Sequence, residues 1–225
     1  MNLSLLLLKT LLTLTLAGGL AFNAAAQMPP VVLVLGDSLS AGYGLPQGKG
    51  WVDLLRGKIE AERYGFKVVN ASVSGETTLG GRNRLAPLLV THKPAIVIVE
   101  LGANDALRGT DLTTTRANLE AIVDASRAAG AEVLVIGMRI PPNYGPDYTM
   151  RFQGLFGEVA AASRSALVPF MLEDFATRRE LFQEDGIHPV AAAQPLIVET
   201  VFPKLKPLLD RAKRRSEALS GRPAA

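Results

Sequence analysis

The chain has 225 residues, 48% of them hydrophobic, with no cysteine and a formal net charge of +3. That length suits one compact domain with a substantial core, and the lack of cysteine excludes a thiolate nucleophile, thiolate metal sites and disulfides. The charge is concentrated at one end: residues 201–225 carry seven Lys or Arg and two acids, a net of +5, which leaves −2 for the preceding 200 residues; with no basic face interleaved with aromatic platforms, no nucleic-acid partner is expected, and at most weak contact with a membrane surface.

Residues 1–26 read as a signal peptide. A leucine-rich run leads to Ala24-Ala25-Ala26, an A-x-A pattern with cleavage before Gln27. Lys9 has apolar residues on both sides, so an uncleaved anchor is the alternative. No cysteine follows the run, which rules out a lipoprotein. Export places the protein in the periplasm or outside the cell, where its stability must come from the core because it has no disulfide to form. Residues 27–210 are then the folded domain, and 211–225 a basic tail expected to fray and stay disordered.

The β-branched run Val31–Leu35 predicts a buried strand, stopped at Gly36-Asp37-Ser38-Leu39-Ser40. Residues 42–50 look superficially like a phosphate loop. Tyr43 stands where the first glycine is required and Gly50 follows Lys49 in place of Ser or Thr, so the segment reads as a flexible surface loop. A helix starts near Trp51, with Val52, Leu55 and Ile59 on its apolar face. Strand Phe66–Val69 leads into Asn70-Ala71-Ser72-Val73-Ser74-Gly75-Glu76. Residues 76–81, rich in Thr and Gly, read as a mobile loop. Strand Ile96–Leu101 leads into Gly102-Ala103-Asn104-Asp105. A helix carrying Leu119, Ile122 and Val123 ends at Gly130, and strand Glu132–Ile136 follows. Residues 139–150 form a proline-stiffened loop, and Ala166–Pro169 is the last strand. A final helix holds Ile197, Val198, Val201 and Leu205, with Pro203 and Pro207 expected to end or bend it. Strands alternating with helices predict right-handed crossovers and a parallel sheet covered on both faces, in one α/β domain.

Ligands of such sheets bind outside the carboxyl ends of the strands, where Ser38 is presented. On the pentapeptide alone, a helix cap is an equal reading of Ser38. Of the two histidines, His92 precedes a strand at the opposite end of the sheet and reads as a solvated loop residue. His188 lies three residues after Asp185, a spacing that lets the carboxylate bond one ring nitrogen while the other faces the serine. Gly75, where backbone can approach a ligand closely, the Asn104 amide and the Ser38 N–H are candidate oxyanion donors; singly, Gly75 is an ordinary turn residue and Asn104 an ordinary cap. The absence of G-x-S-x-G disfavours an ordinary α/β-hydrolase, and the absence of H-E-x-x-H a zinc peptidase. Glu76, Thr77, Ile140, Pro141 and Tyr144, on the two loops, are candidate substrate walls, with packing of the loop onto the sheet as an equal reading.

Taken together, the blocks around Ser38, Gly75, Asn104 and His188 resemble the SGNH (GDSL) hydrolases over nearly all of the mature length, most closely their bacterial periplasmic multifunctional thioesterase, lysophospholipase and arylesterase group. The resemblance implies a three-layer α/β/α, flavodoxin-like fold with a five-stranded parallel sheet in the order 2-1-3-4-5. It implies a serine esterase with Ser38, Asp185 and His188 as triad, and Ser38, Gly75 and Asn104 as oxyanion hole. It implies no metal and no cofactor, and small acyl esters, thioesters or lysophospholipids as substrates. The alternatives are an O-deacetylase of carbohydrate or cell-wall polymers and, in another class, a catalytically inactive ligand-binding module on the same scaffold.

Overall fold

The computed structural model describes residues 28–220. The expected signal peptide and the last residues of the expected tail lie outside that range. Five parallel strands, β1 (Val31–Gly36), β2 (Lys67–Asn70), β3 (Ile96–Glu100), β4 (Glu132–Ile136) and β5 (Ala166–Val168), form one sheet in the order β2-β1-β3-β4-β5. Every residue of β1 and β3 is buried. Their apolar runs, interrupted only by Glu100 at the end of β3, reflect a sheet with helices on both faces, where no side of the strand meets water. β2, at the edge of the sheet, buries only Val68 fully and exposes Lys67 and Asn70.

Helices α1 (Ser38–Ala41), α2 (Trp51–Ala61), α3 (Thr78–His92), α4 (Ala103–Leu107), α5 (Leu112–Ala128), α6 (Pro146–Ser163) and α7 (Gln194–Ser220) fill the crossovers. α2 packs with α7 on one face, and α3, α5 and α6 pack in a row on the other. Trp51, Phe152, Phe156 and Phe175 are the bulkiest fully buried side chains. The α2 stripe of Val52, Leu55 and Ile59 is buried as its spacing predicts, and Gly130 follows α5 at φ +88°.

Four expectations are corrected. The segment after Gly75 is not a loop: α3 begins at Thr78, and Thr77 caps it by accepting the Gly80 N–H at 3.2 Å. Gly81 is inside the helix because a Cβ there would run into the Leu101 side chain. Pro203 and Pro207 do not end α7. Both are exposed, so the carbonyls they leave unpaired face water, while Val201, Leu205, Leu208 and Leu209 hold the opposite side in the core. The basic segment from Arg211 is likewise the last turns of α7 as far as Ser220. Arg211 clasps Glu132 at 2.5 and 2.9 Å, and Arg215 donates to the Gly130 carbonyl at 3.2 Å, which ties these turns to the start of β4. His92, expected in a loop, is the last residue of α3.

Candidate active site

The carboxyl ends of β1, β2 and β3 bring Ser38, Gly75 and Asn104 to one edge of the sheet. Asp37, not Ser38, caps α1: its Oδ1 accepts the Leu39 N–H at 3.0 Å. Ser38 is therefore the first helical residue, with its hydroxyl left for a partner. That partner comes from the segment between β5 and α7. Gly186, at φ +69°, turns the chain there, a conformation that favours glycine. Bonds from Gln183 N–H to the His188 carbonyl (2.7 Å) and from Val190 N–H to the Leu181 carbonyl (2.9 Å) pin the segment into a hairpin-like loop.

The loop aims His188 at the serine. His188 Nε2 lies 2.8 Å from Ser38 Oγ, and His188 Nδ1 lies 2.7 Å from Asp185 Oδ2. Asp185 Oδ1 also accepts the N–H groups of Ile187 (2.9 Å) and His188 (3.0 Å). What burial there is would raise the Asp185 pKa, but the His188 and Ile187 amides and the imidazole outweigh it and hold the carboxyl at about 2. It is therefore ionised across the physiological range. Tyr43, from the loop after α1, lays its ring against the imidazole with centroids 4.5 Å apart. Gln183 holds that loop by donating to the Tyr43 carbonyl at 2.9 Å.

Gly75 has φ +80°, which a side chain would strain. Its carbonyl accepts from the exposed Arg108 guanidinium at 3.0 Å. The Asn104 amide donates to Asp37 Oδ2 at 3.1 Å and to the Glu76 carbonyl at 3.0 Å. Beside Ser38 opens a cavity of about 420 Å³ lined mainly by apolar side chains, among them Leu39, Met138, Ile140, Pro141, Phe170 and Ile187. Other hollows, near Arg56 and Lys67 or near Glu132 and Arg211, are lined by residues at the opposite, amino-terminal ends of the strands. Among the described residues, no group of three or more His, Asp or Glu is placed to hold a metal ion.

The structure thus gathers Ser38, Asp185, His188, Gly75 and Asn104. Of the expected substrate walls, Ile140 and Pro141 line the cavity, joined by Pro142. Tyr144 does not line it. The Glu76 carboxylate is taken up by an ion pair with Arg84, and Thr77 by its cap. Tyr43, Arg108 and the deeper cavity residues Met138 and Phe170 were not foreseen. Their roles depend on contacts between distant segments, which no local spacing reveals.

Residues 34–195 match the model of the GDSL-like Lipase/Acylhydrolase family. Esterase TesA of Pseudomonas aeruginosa is 48% identical over 91% of this chain and 98% of its own. Thioesterase 1/protease 1/lysophospholipase L1 of Escherichia coli is 40% identical over 85% and 89%. The crystal structure of the psychrotrophic esterase EstA from Pseudoalteromonas sp., inhibited by monoethylphosphonate, superposes with a TM-score of 0.76 at 42% identity, over 80% of this chain and 98% of that one. With its serine-bearing turn, its parallel sheet and relatives of this closeness, the chain belongs to the GDSL-like lipase/acylhydrolase family and is a hydrolase of ester bonds.

Proposed function

We propose that the protein is a serine esterase that cleaves acyl esters and thioesters through an acyl-enzyme on Ser38. What carries this reading is the unbroken line of contacts from Asp185 through His188 to Ser38 Oγ, beside an apolar cavity. With the Nδ1 proton directed at ionised Asp185, Nε2 is free to accept the Ser38 proton as Oγ attacks the acyl carbon. The Ser38 and Gly75 N–H groups and the Asn104 amide receive the developing oxyanion, which takes the place of the Glu76 carbonyl as partner of the amide. The imidazolium then protonates the leaving oxygen or sulfur, and the acyl-serine forms. Water, deprotonated by His188, releases the acid. The apolar leader with its A-x-A end supports export to the periplasm.

The cavity favours an acyl chain over an acetylated sugar, because its walls are mostly aliphatic and aromatic. A panel of p-nitrophenyl esters of rising chain length, with a lysophospholipid, an acyl-CoA and an acetylated xylan, tests this. Medium or long acyl groups should give the higher kcat/KM; preference for the acetylated polymer would favour a deacetylase. Ala176 is an exposed residue on the cavity wall. Ala176→Trp should lower kcat/KM for the longer esters by about tenfold or more, roughly the worth of one or two methylenes of pocket contact, and leave the acetate ester nearly unchanged.

Asn104→Ala should lower kcat by about a hundredfold or more with little change in KM, the usual result of losing one oxyanion donor. Steady-state kinetics on one soluble ester reads both constants. Normal kcat with raised KM would make Asn104 a ground-state binding group instead.

A further inference from the structure

Behind the Ser38 turn lie two buried acids that the steps above do not use. Glu100 ends β3 and Asp37 follows β1; each is 1% exposed. Glu100 stands opposite Gly36 in the β1–β3 register, where a Cβ would come within 2.7 Å of the Ser40 side chain and 2.9 Å of Glu100 Oε2, so the glycine leaves room for both. Glu100 Oε2 accepts the Ser40 hydroxyl at 2.6 Å and, more weakly, the Asp37 N–H at 3.4 Å. The Asp37 N–H contact places the two buried carboxyl groups side by side, and each acts on the other's protonation. Asp37 in turn accepts the Leu39 N–H and the Asn104 amide.

Two adjacent carboxyls in a buried interior cannot both be ionised without strong repulsion, so the pair keeps one proton. Its location follows from the surroundings. Burial raises both groups, Glu100 well above the carboxylate range and Asp37 to about 6. The Leu39 N–H, the His188 ring and the Asn104 amide all favour charge on Asp37. Charge on Glu100 is opposed by burial and by Asp37, and favoured only by the Ser40 hydroxyl and the Asp37 N–H. Glu100 is therefore the neutral acid and donor, and Asp37 the carboxylate. Across the β1–β3 pairing Glu100 meets Gly36, and among the described residues the ionisable group that bears on Asp37 besides Glu100 is His188.

We propose that Glu100 is a positioning residue for the oxyanion site: its carboxyl proton, shared with Asp37, anchors the carboxylate on which the Asn104 amide rests and so keeps that amide aimed at the reacting carbonyl. The proposal rests on reading Asn104 as an oxyanion donor. It has a pH consequence. When Glu100 loses its proton to solvent, two facing carboxylates repel, Asp37 shifts and Asn104 loses its anchor, so kcat falls on the alkaline side. Stability moves the same way. Both acids have folded-state pKa values above their unfolded ones, so the stability they contribute is complete below the unfolded carboxylate range. It is lost as pH rises through about 6 for Asp37 and through the higher value of Glu100.

The test is a pH profile of kcat and KM on one soluble ester for the wild type, Glu100→Gln and Glu100→Ala, with melting temperatures at each pH. Glutamine keeps a donor toward Asp37 and an acceptor for Ser40 but cannot ionise. Glu100→Ala should lower kcat about tenfold or more while KM stays within about twofold. Glu100→Gln should recover most of that loss at neutral pH and remove the alkaline fall of the wild type. Its melting temperature should gain on the wild type as pH rises. The proposal is overturned if the wild type shows no alkaline fall in kcat, or if Glu100→Gln keeps the same fall, a result that needs no data from an alanine variant that fails to fold. Labelling the same samples with a phosphonate separates the two readings. Failure of wild-type Ser38 to label would sink the esterase mechanism itself, whereas normal labelling with coincident pH profiles would sink only the role of Glu100.

Discussion

Ser38→Ala is expected to remove ester hydrolysis while leaving the fold intact. The hydroxyl lies 2.8 Å from His188 Nε2, placed to give up its proton as it takes the acyl group. Without it, the oxyanion donors and the cavity can still bind substrate but no acyl-enzyme forms. The loss should be on the order of a millionfold in kcat, as for other serine nucleophiles of a catalytic unit. His188→Ala should cost about as much, and the double variant little more, because the two act in one step. Turnover of a soluble p-nitrophenyl ester, with the melting temperature as control, measures this. Near-normal turnover in folded Ser38→Ala protein would mean that the nucleophile lies elsewhere.

Asp185→Asn should be nearly as damaging, for a different reason. Asparagine has almost the same shape, and its carbonyl oxygen can still accept the Ile187 and His188 N–H groups that Oδ1 now accepts. Its NH₂ then faces His188 Nδ1, which must accept and no longer donate. The ring proton moves to Nε2, where it blocks uptake of the serine proton. A fall in kcat of about ten-thousandfold is expected from this tautomer reversal. The stability effect has the opposite pH dependence to that of Glu100. The folded pKa of Asp185 is lowered from 3.8 to about 2, so its contribution is present above 3.8 and lost as pH falls through about 2. Because Asp185 is partly exposed, that contribution is modest. Melting curves of the wild type and Asp185→Asn should therefore converge as pH drops from about 4 toward 2, and a rate close to wild type would reduce Asp185 to a turn residue.

The sheet was legible because each strand is a short apolar run closed by Gly, Asn or Pro, and all of the expected strands form within a residue of their expected ends. Of the proposed reacting groups, Ser38, Gly75 and Asn104 were legible because each lies within a few residues of a strand end, and Asp185 and His188 because of their three-residue spacing. The α3 region was not. Gly80, Gly81 and Pro87 blur its helical period, and Gly81 is there for the Leu101 side chain, a contact set by the tertiary fold. The prolines of α7 misled because their local cost is offset by a buried stripe and an exposed back. Tyr43 gave no local sign, since its contact with His188 spans most of the chain. Glu100 did leave one: a lone acid closing the otherwise apolar run Ile96–Leu101. A carboxyl in a strand covered on both faces needs hydrogen-bond partners, and the turn after the adjacent strand supplies them in the Ser40 hydroxyl and the Asp37 N–H.

Covalent trapping tests the central claim most directly. The wild type and Ser38→Ala are incubated with a fluorophosphonate and the modified peptide is mapped by mass spectrometry. A single adduct on Ser38, formed in proportion to the loss of esterase activity and absent from Ser38→Ala, is the expected result. Full inactivation with Ser38 unmodified, or an adduct on another side chain, would contradict it.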